Sequence, residues 1–337
     1  MLMRYVTFTV SLVLLPIAGS AHHSILGIYS RDSVTEIEGE LTDVFWRNPH
    51  VLFSVTTDDG EIWEIESAPP TELERYGITR DLLEEGRRYR VAGDPSKRND
   101  NALFATNILL PNGLELLTYP RSTSRWSNRT LQRGGERVIS ESAARAAEEN
   151  ANGIFRVWAG NLGIEWDAKL TDAALAARNR WNPARDDPRL RCVPPGMVDA
   201  IVSPFPIELV QDGQDIVIRM EQWDGIRRIH MGGLVDTESV PPTPMGDSVG
   251  HWDGDTLVVS TNRINWPYFD DLGTPQSEEV EIVERFSMSD DEQWLAWEAT
   301  ITDPINLAEP AIVRQRYEWI PGEEIKPYNC AAPGEAR

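Results

Sequence analysis

From Pro204 to Trp319 the chain repeats one pattern, and that pattern limits what it can fold into. Short runs of alternating apolar and polar residues are separated by turn residues. Ile207–Val210 and Ile216–Glu221 flank Asp212-Gly213, Gly250–Asn262 contains the turn Trp252-Asp253-Gly254-Asp255, and Val280–Met288 and Trp294–Thr302 flank Ser289-Asp290-Asp291. Alternation with period two buries one face of each strand. Regular strands joined by polar turns favour a closed barrel or sandwich, and the length suits about eight strands. A lipocalin-like antiparallel β-barrel is expected over residues 153–332.

A shorter β pattern occupies the first third. Val34–Phe45, His50–Thr57 and Glu61–Ser67 read as three strands, with Gly39 as a bend or bulge and Asp58-Asp59-Gly60 as a hairpin turn. Pro69-Pro70-Thr71 opens a short helix through Arg75, and Arg87–Gly93 and Ala102–Leu110 supply two more strands. Three strands, a helix and two strands is the order of an OB-like five-stranded barrel, expected over residues 22–117. Residues 118–152 read as a linker, helical from about Ser140 to Asn150. The fold class expected is all-β.

The first residues determine the compartment. Met1–Arg4 is a short basic start, Tyr5–Ile17 is apolar, and Gly19 and Ala21 are small residues at the −3 and −1 positions of a cleavage site. Residues 1–21 therefore read as a secretory signal peptide, which makes the protein periplasmic or secreted. No later stretch is apolar enough to insert stably in a membrane. Cys192 and Cys330, the only two cysteines, are expected to form a disulfide in that oxidising setting. The 54 Asp and Glu against 32 Lys and Arg give a net charge of −22, which repels phosphate backbones and argues against a nucleic-acid partner. Neither a P-loop nor a G-x-G-x-x-G motif is present, so nucleotide chemistry is unsupported.

Two blocks carry a resemblance. Ala21-His22-His23-Ser24, then Gly39, then Trp46-Arg47-Asn48-Pro49-His50 resembles the start of a bacterial exported family of unknown function, with its AHHS start and WxNPH segment. Cys192-Val193-Pro194-Pro195-Gly196, Arg227-Arg228-Ile229, the stretch from Met245 through Val259, and Val283-Glu284-Arg285-Phe286 resemble exported proteins carrying CxPPG, RRI, MGxSxGxWxGDTLVV and VERF. The resemblance implies export and a β architecture, and no reaction. Asp247 and Gln276 stand where that pattern often has His.

Two groups of residues are candidates for chemistry. Glu284 lies in mid-strand on the apolar face of Val280–Met288, where a carboxylate must pair or keep its proton. Arg227, Arg228 and His230, with Glu221 just before them, are the expected partners. The leading reading is a pocket in the second barrel that binds a small, partly apolar molecule, lined or plugged by Trp223, Trp252, Trp266 and Trp297. The same Glu284, His230, Glu221 and Arg228 could then perform a cofactor-free lyase, isomerase or hydrolase step. A buried Arg–Glu pair that only ties strands together competes with it, as does a structural or interaction module with no catalytic site. The second candidate is metal. Cleavage after Ala21 frees an amino group beside the His22 imidazole, a chelating pair, and His23 or His50 would complete a T-shaped copper site or bind zinc.

Overall fold

The computed structural model describes residues 28–160, 165–233 and 241–331. Residues 1–27, with the expected signal peptide, His22 and His23, lie outside the described residues. The fold is all-β and contains two barrels.

The first is built from β1 (Thr35–Phe45), β2 (Leu52–Thr57), β3 (Ile62–Glu66), β4 (Arg88–Pro95) and β5 (Ala102–Leu109). β1 lies between β2 and β4, β4 pairs with β5, and a parallel β3–β5 pairing closes the circuit. The helix Pro70–Glu74 sits between β3 and β4, as the order of predicted elements required. Alternation points Leu41, Val55, Ile65, Val91 and Leu103 inward, where all are buried. The bulge in β1 falls between Leu41 and Asp43 rather than at Gly39. Gly39 serves a different purpose: a Cβ there would meet the Thr56 carbonyl oxygen at 2.2 Å.

Half of the expected linker belongs to this barrel. β6 (Glu115–Leu117) extends the sheet beyond β5, and β7 (Thr130–Gln132) pairs parallel to it. The intervening loop folds back because Glu115, fully buried, accepts backbone N–H bonds from Arg125, Trp126 and Ser127 at 2.9–3.0 Å. The helical part runs over Glu141–Glu149, capped by Ser140 Oγ, which accepts from the Ala143 amide.

The second sheet has β8 (Val157–Trp158), β9 (Glu165–Asp167), β10 (Ile207–Asp212), β11 (Asp215–Met220), β12 (Gly225–His230), β13 (Asp247–Asp253), β14 (Thr256–Asn262), β15 (Glu281–Met288), β16 (Trp294–Thr302) and β17 (Ala311–Glu318). It curls until its ends meet. β8 pairs with β10, and Ala159, just after β8, exchanges two backbone hydrogen bonds with Glu318 of β17. One pair departs from the antiparallel expectation, since β12 and β13 run parallel. Side chains fill the interior: Ile218, Ile229, Leu257, Phe286, Trp297, Val313 and Tyr317 are all at most 1% exposed.

Cys192 and Cys330 form the disulfide, with Cα atoms 5.8 Å apart. Phe205, Trp223 and Tyr328 pack around it.

Candidate functional site

The residues expected to share a pocket in the second barrel stand in three places. Arg227 and Glu284 meet inside it, at 1% and 0% exposure. Arg227 Nη1 donates to Glu284 Oε1 at 2.9 Å, and Nη2 donates to Oε2. Arg227 Nε donates to Ser248 Oγ at 3.0 Å and Nη2 to Thr261 Oγ1 at 2.6 Å, while Trp297 Nε1 donates to Glu284 Oε1 at 3.0 Å. Neither Arg227 nor Glu284 keeps a nitrogen or oxygen without a partner. Tyr317 packs nearby; burial and the Glu284 charge hold its phenol well above the ordinary range, and its hydroxyl donates to the Ile201 carbonyl at 2.6 Å.

Arg228 and His230 are on the other face of the same strand. Period two makes this unavoidable: if Arg227 points in, residues 226, 228 and 230 point out. Arg228 pairs with Asp212 at 2.7 Å, and His230 Nδ1 lies 3.1 Å from Asp215 Oδ2. Both partners are on the neighbouring hairpin, so the expected role of these two residues beside Glu284 is corrected to that of outer-face pairing.

Glu221 is in a third place. It precedes β12, in the turn that ends β11, and is buried against the first barrel. Arg75, from the end of the Pro70–Glu74 helix, donates Nη1 to Glu221 Oε1 at 2.9 Å and Nη2 to Oε2. Burial raises the Glu221 carboxyl above its usual value even though Arg75 pulls the other way. This residue ties two domains together.

The tryptophans also separate. Trp223 packs on Tyr328 by the disulfide, with ring centroids 5.0 Å apart. Trp252 is 45% exposed on the outside, edge-on to Phe155. Trp266 is buried among loop residues beside Tyr268. Trp297, from β16, is the one inside the barrel next to Glu284.

The remaining candidate, His50, sits in a different setting. It follows Asn48-Pro49 and precedes β2, against the end of β3. Its Nδ1 lies 3.1 Å from the Ser67 carbonyl oxygen and 2.9 Å from Glu66 Oε1. Both neighbours of Nδ1, the Ser67 carbonyl and the Glu66 carboxylate, only accept, so Nδ1 is the donor. Nε2 has no partner among the described residues. The ring is 23% exposed and stands edge-on to Phe104. Glu66 is itself held by Tyr29, whose hydroxyl donates to Oε2 at 2.6 Å. Burial works against the Glu66 carboxylate, but the His50 charge and the bonds from His50 and Tyr29 outweigh it, so its pKa lies below the ordinary value. Burial and the same carboxylate raise the Tyr29 phenol, which stays a neutral donor.

Two more polar atoms beside His50 lack partners among the described residues. They are Asn48 Oδ1 and Ser67 Oγ, in residues 3% and 1% exposed. Buried polar atoms are rarely left unmatched, so this corner has room in its bonding for one more polar group. Chain entry points there too: Tyr29 bridges to Ser96, and the Ser30 amide donates to the Pro95 carbonyl. His23 is six residues before Tyr29, a stretch able to span up to about 20 Å.

Glu66 and Tyr29 were not singled out from sequence. A signal for Glu66 was present: the Asp58-Asp59-Gly60 hairpin sets Leu52 opposite Glu66, which brings the residues just before β2 beside the end of β3. Nothing comparable marks Tyr29.

The fold and these contacts define a two-barrel all-β protein. Residues 11–104, covering β1 to β4, the start of β5 and the segment leading into them, match a family of unknown function, DUF6152. No curated protein matches the chain. No helix among the described residues is long and apolar enough to cross a membrane.

Proposed function

We propose that this is an exported protein that captures a copper or zinc ion between its processed amino terminus and His50. The observation that carries the reading is the His50 ring, held at Nδ1 by Ser67 and Glu66, with no partner for Nε2 among the described residues. A histidine that ligates metal through one nitrogen typically donates from the other to a carboxylate or carbonyl, and here it has both. Cleavage after Ala21 supplies the other donors, the new α-amino group and the His22 imidazole, with His23 adjacent. Asn48 Oδ1 and Ser67 Oγ, without partners among the described residues, leave further polar bonding capacity in the same corner. Imidazole and amine nitrogens suit copper and zinc. The matched family region contains His22, His23, His50, Glu66 and Tyr29.

The pocket reading of the second barrel has less support. Its polar groups are separated, and those inside the barrel are consumed by one another.

The test is to export the protein so that processing is natural, find the cleavage point by mass spectrometry, and titrate the metal-free form with Cu(II) and Zn(II). One equivalent of metal is expected, with affinity lost on His22→Ala and on His50→Ala, and weakened about tenfold or more on Glu66→Gln. Equal binding by wild type and His50→Ala would overturn the proposal, as would a mature chain that starts elsewhere and binds nothing.

A further inference from the structure

Two segments that the metal reading does not use meet at one end of the second barrel. The loop between β14 and β15 turns back on itself. A Tyr268–Pro275 bridge and a bond from the Phe269 amide to the Thr274 carbonyl close it, and Asp270 caps the turn by accepting from the Leu272 and Thr274 amides. The chain between β9 and β10 lies against this loop. A Cβ on Gly196 would fall 2.6 Å from Trp266 Cβ, and the Met197 carbonyl accepts from Gln276 Nε2 at 3.0 Å. Trp181 lies across Gly273, where a Cβ would meet its ring at 2.2 Å.

Three rings gather in this corner. Tyr268 is 4.6 Å from Trp181 and 6.2 Å from Trp266 between centroids, edge-on to both. Trp181 and Tyr268 are partly exposed, and Trp266 is buried. Polar atoms between the rings are left over. Gln276, 7% exposed, spends its amide nitrogen on the Met197 and Trp266 carbonyls at 3.0 and 2.9 Å. Its Oε1 has no partner among the described residues, and neither do Trp181 Nε1 and Trp266 Nε1. Buried polar atoms are rarely left so, which makes three together a place where a further molecule bonds.

The leftover set restricts that molecule. Two indole N–H groups need an acceptor, which a simple organic cation does not carry. Gln276 Oε1 needs a donor, which a carboxylate does not carry. Arg189 is spent on Asp187 at 2.9 Å and Asp199 at 3.3 Å, so it offers an anion little. A hydroxyl group both donates and accepts, and aromatic walls suit the apolar faces of a ring.

We infer that this corner binds a neutral ring compound bearing several hydroxyl groups, a molecule of the sugar class. Gln276 Oε1 accepts from one hydroxyl, and the Trp181 and Trp266 indoles donate to others. The leftover atoms are buried, so the compound enters by lifting Trp181, the partly exposed ring over Gly273. The site is independent of the metal reading and lies outside the barrel interior. Of the tryptophans expected to line a pocket, it contains Trp266.

The experiment follows the indole N–H resonances of the nitrogen-15-labelled protein, with Trp181 and Trp266 assigned through Trp181→Phe and Trp266→Phe. Glucose, N-acetylglucosamine and maltose are the probes. At least one should shift both signals saturably. Tetramethylammonium and acetate, which carry charge without hydroxyls, should leave them unmoved. Trp181→Phe keeps a ring but loses one donor. It should weaken binding about two- to tenfold, read from the Trp266 signal, with its denaturation midpoint nearly unmoved. Gln276→Leu should weaken binding by a similar factor. The inference is overturned if no sugar moves either indole, if the charged probes move them as well as the sugars do, or if Trp181→Phe binds with full affinity. Indole signals that exchange magnetisation with ordered water only, and ignore every probe, also overturn it. If Gln276→Leu does not fold, Trp181→Phe decides.

Discussion

Inside the second barrel, Arg227, Glu284, Ser248, Thr261 and Trp297 spend their polar atoms on one another, far from solvent. At the edge of the first barrel, His50 has one ring nitrogen committed to Ser67 and Glu66 and the other without a partner among the described residues. Both groups look equally suggestive as residue types. The difference lies in what remains after internal bonds are formed. A buried pair with matched partners has little left to offer a ligand. A fixed ring whose second nitrogen, like Asn48 Oδ1 and Ser67 Oγ, has no partner among the described residues does. Carboxylates in apolar strands are therefore weaker evidence of chemistry than a histidine whose orientation is already held.

The comparison breaks most visibly if the barrel pair turns out not to be structural. Glu284→Ala leaves the Arg227 guanidinium buried and unpaired and should cost about 3–5 kcal/mol by chemical denaturation. Replacing both, as Arg227→Met with Glu284→Leu, should recover most of that loss, because apolar side chains also fill the space. If Glu284→Ala kept full stability, the pair would have to be read as a site after all.

The disulfide is next. It closes a long loop, and Cys192→Ser with Cys330→Ser should lose about 2–5 kcal/mol in denaturant melts run without reductant.

Asp199 belongs to neither group and sharpens the contrast as a buried carboxyl that shares its cation. Arg189 serves Asp187 first, at 2.9 Å, and reaches Asp199 at 3.3 Å. Burial pushes the Asp199 carboxyl up to about 7; Arg189 pulls it down, and Asp271, Asp270 and Asp187 push it further up. The folded pKa exceeds the unfolded one near 4, so the folded state holds the extra proton between those values. Stability from this group is complete below about pH 4 and falls as pH rises to about 7. Asp199→Asn should flatten that decline and stabilise the protein at pH 8 by about 1–3 kcal/mol, read from melts across pH.

At the His50 corner the expected change is in binding rather than stability. His50→Ala should abolish the one-equivalent metal binding by titration while shifting the denaturation midpoint little. The smallest effect belongs to the outer face. Arg228→Ala and His230→Ala remove partly exposed pairs and should each leave the denaturation midpoint nearly unmoved, with metal affinity unchanged. A large loss of metal there would move the site to the second barrel.

Much of the fold was legible because strands announce themselves locally. Five strands with a proline-led helix after the third sufficed for the first barrel. Mid-strand Glu284 on the apolar face of β15 pointed to a buried partner, which was Arg227. The same alternation separates Arg227 from Arg228 and His230, so their shared pocket was an error within reach of the sequence. Glu221 was beyond it, since its partner Arg75 is 146 residues away and belongs to another domain.

The sequence by itself determined what depends on neighbours along the chain: strand periodicity, turns, the capped helices, and the pairing of the only two cysteines. Tertiary structure decided which way those elements faced and what they met. It sent the chain after β17 across to Asn48, put Glu66 and Tyr29 behind His50, and consumed Glu284 in an ion pair. The physical reason is that hydrogen bonds and burial join groups by distance in space, and closing two barrels brings together residues whose separation along the chain carries no record of it.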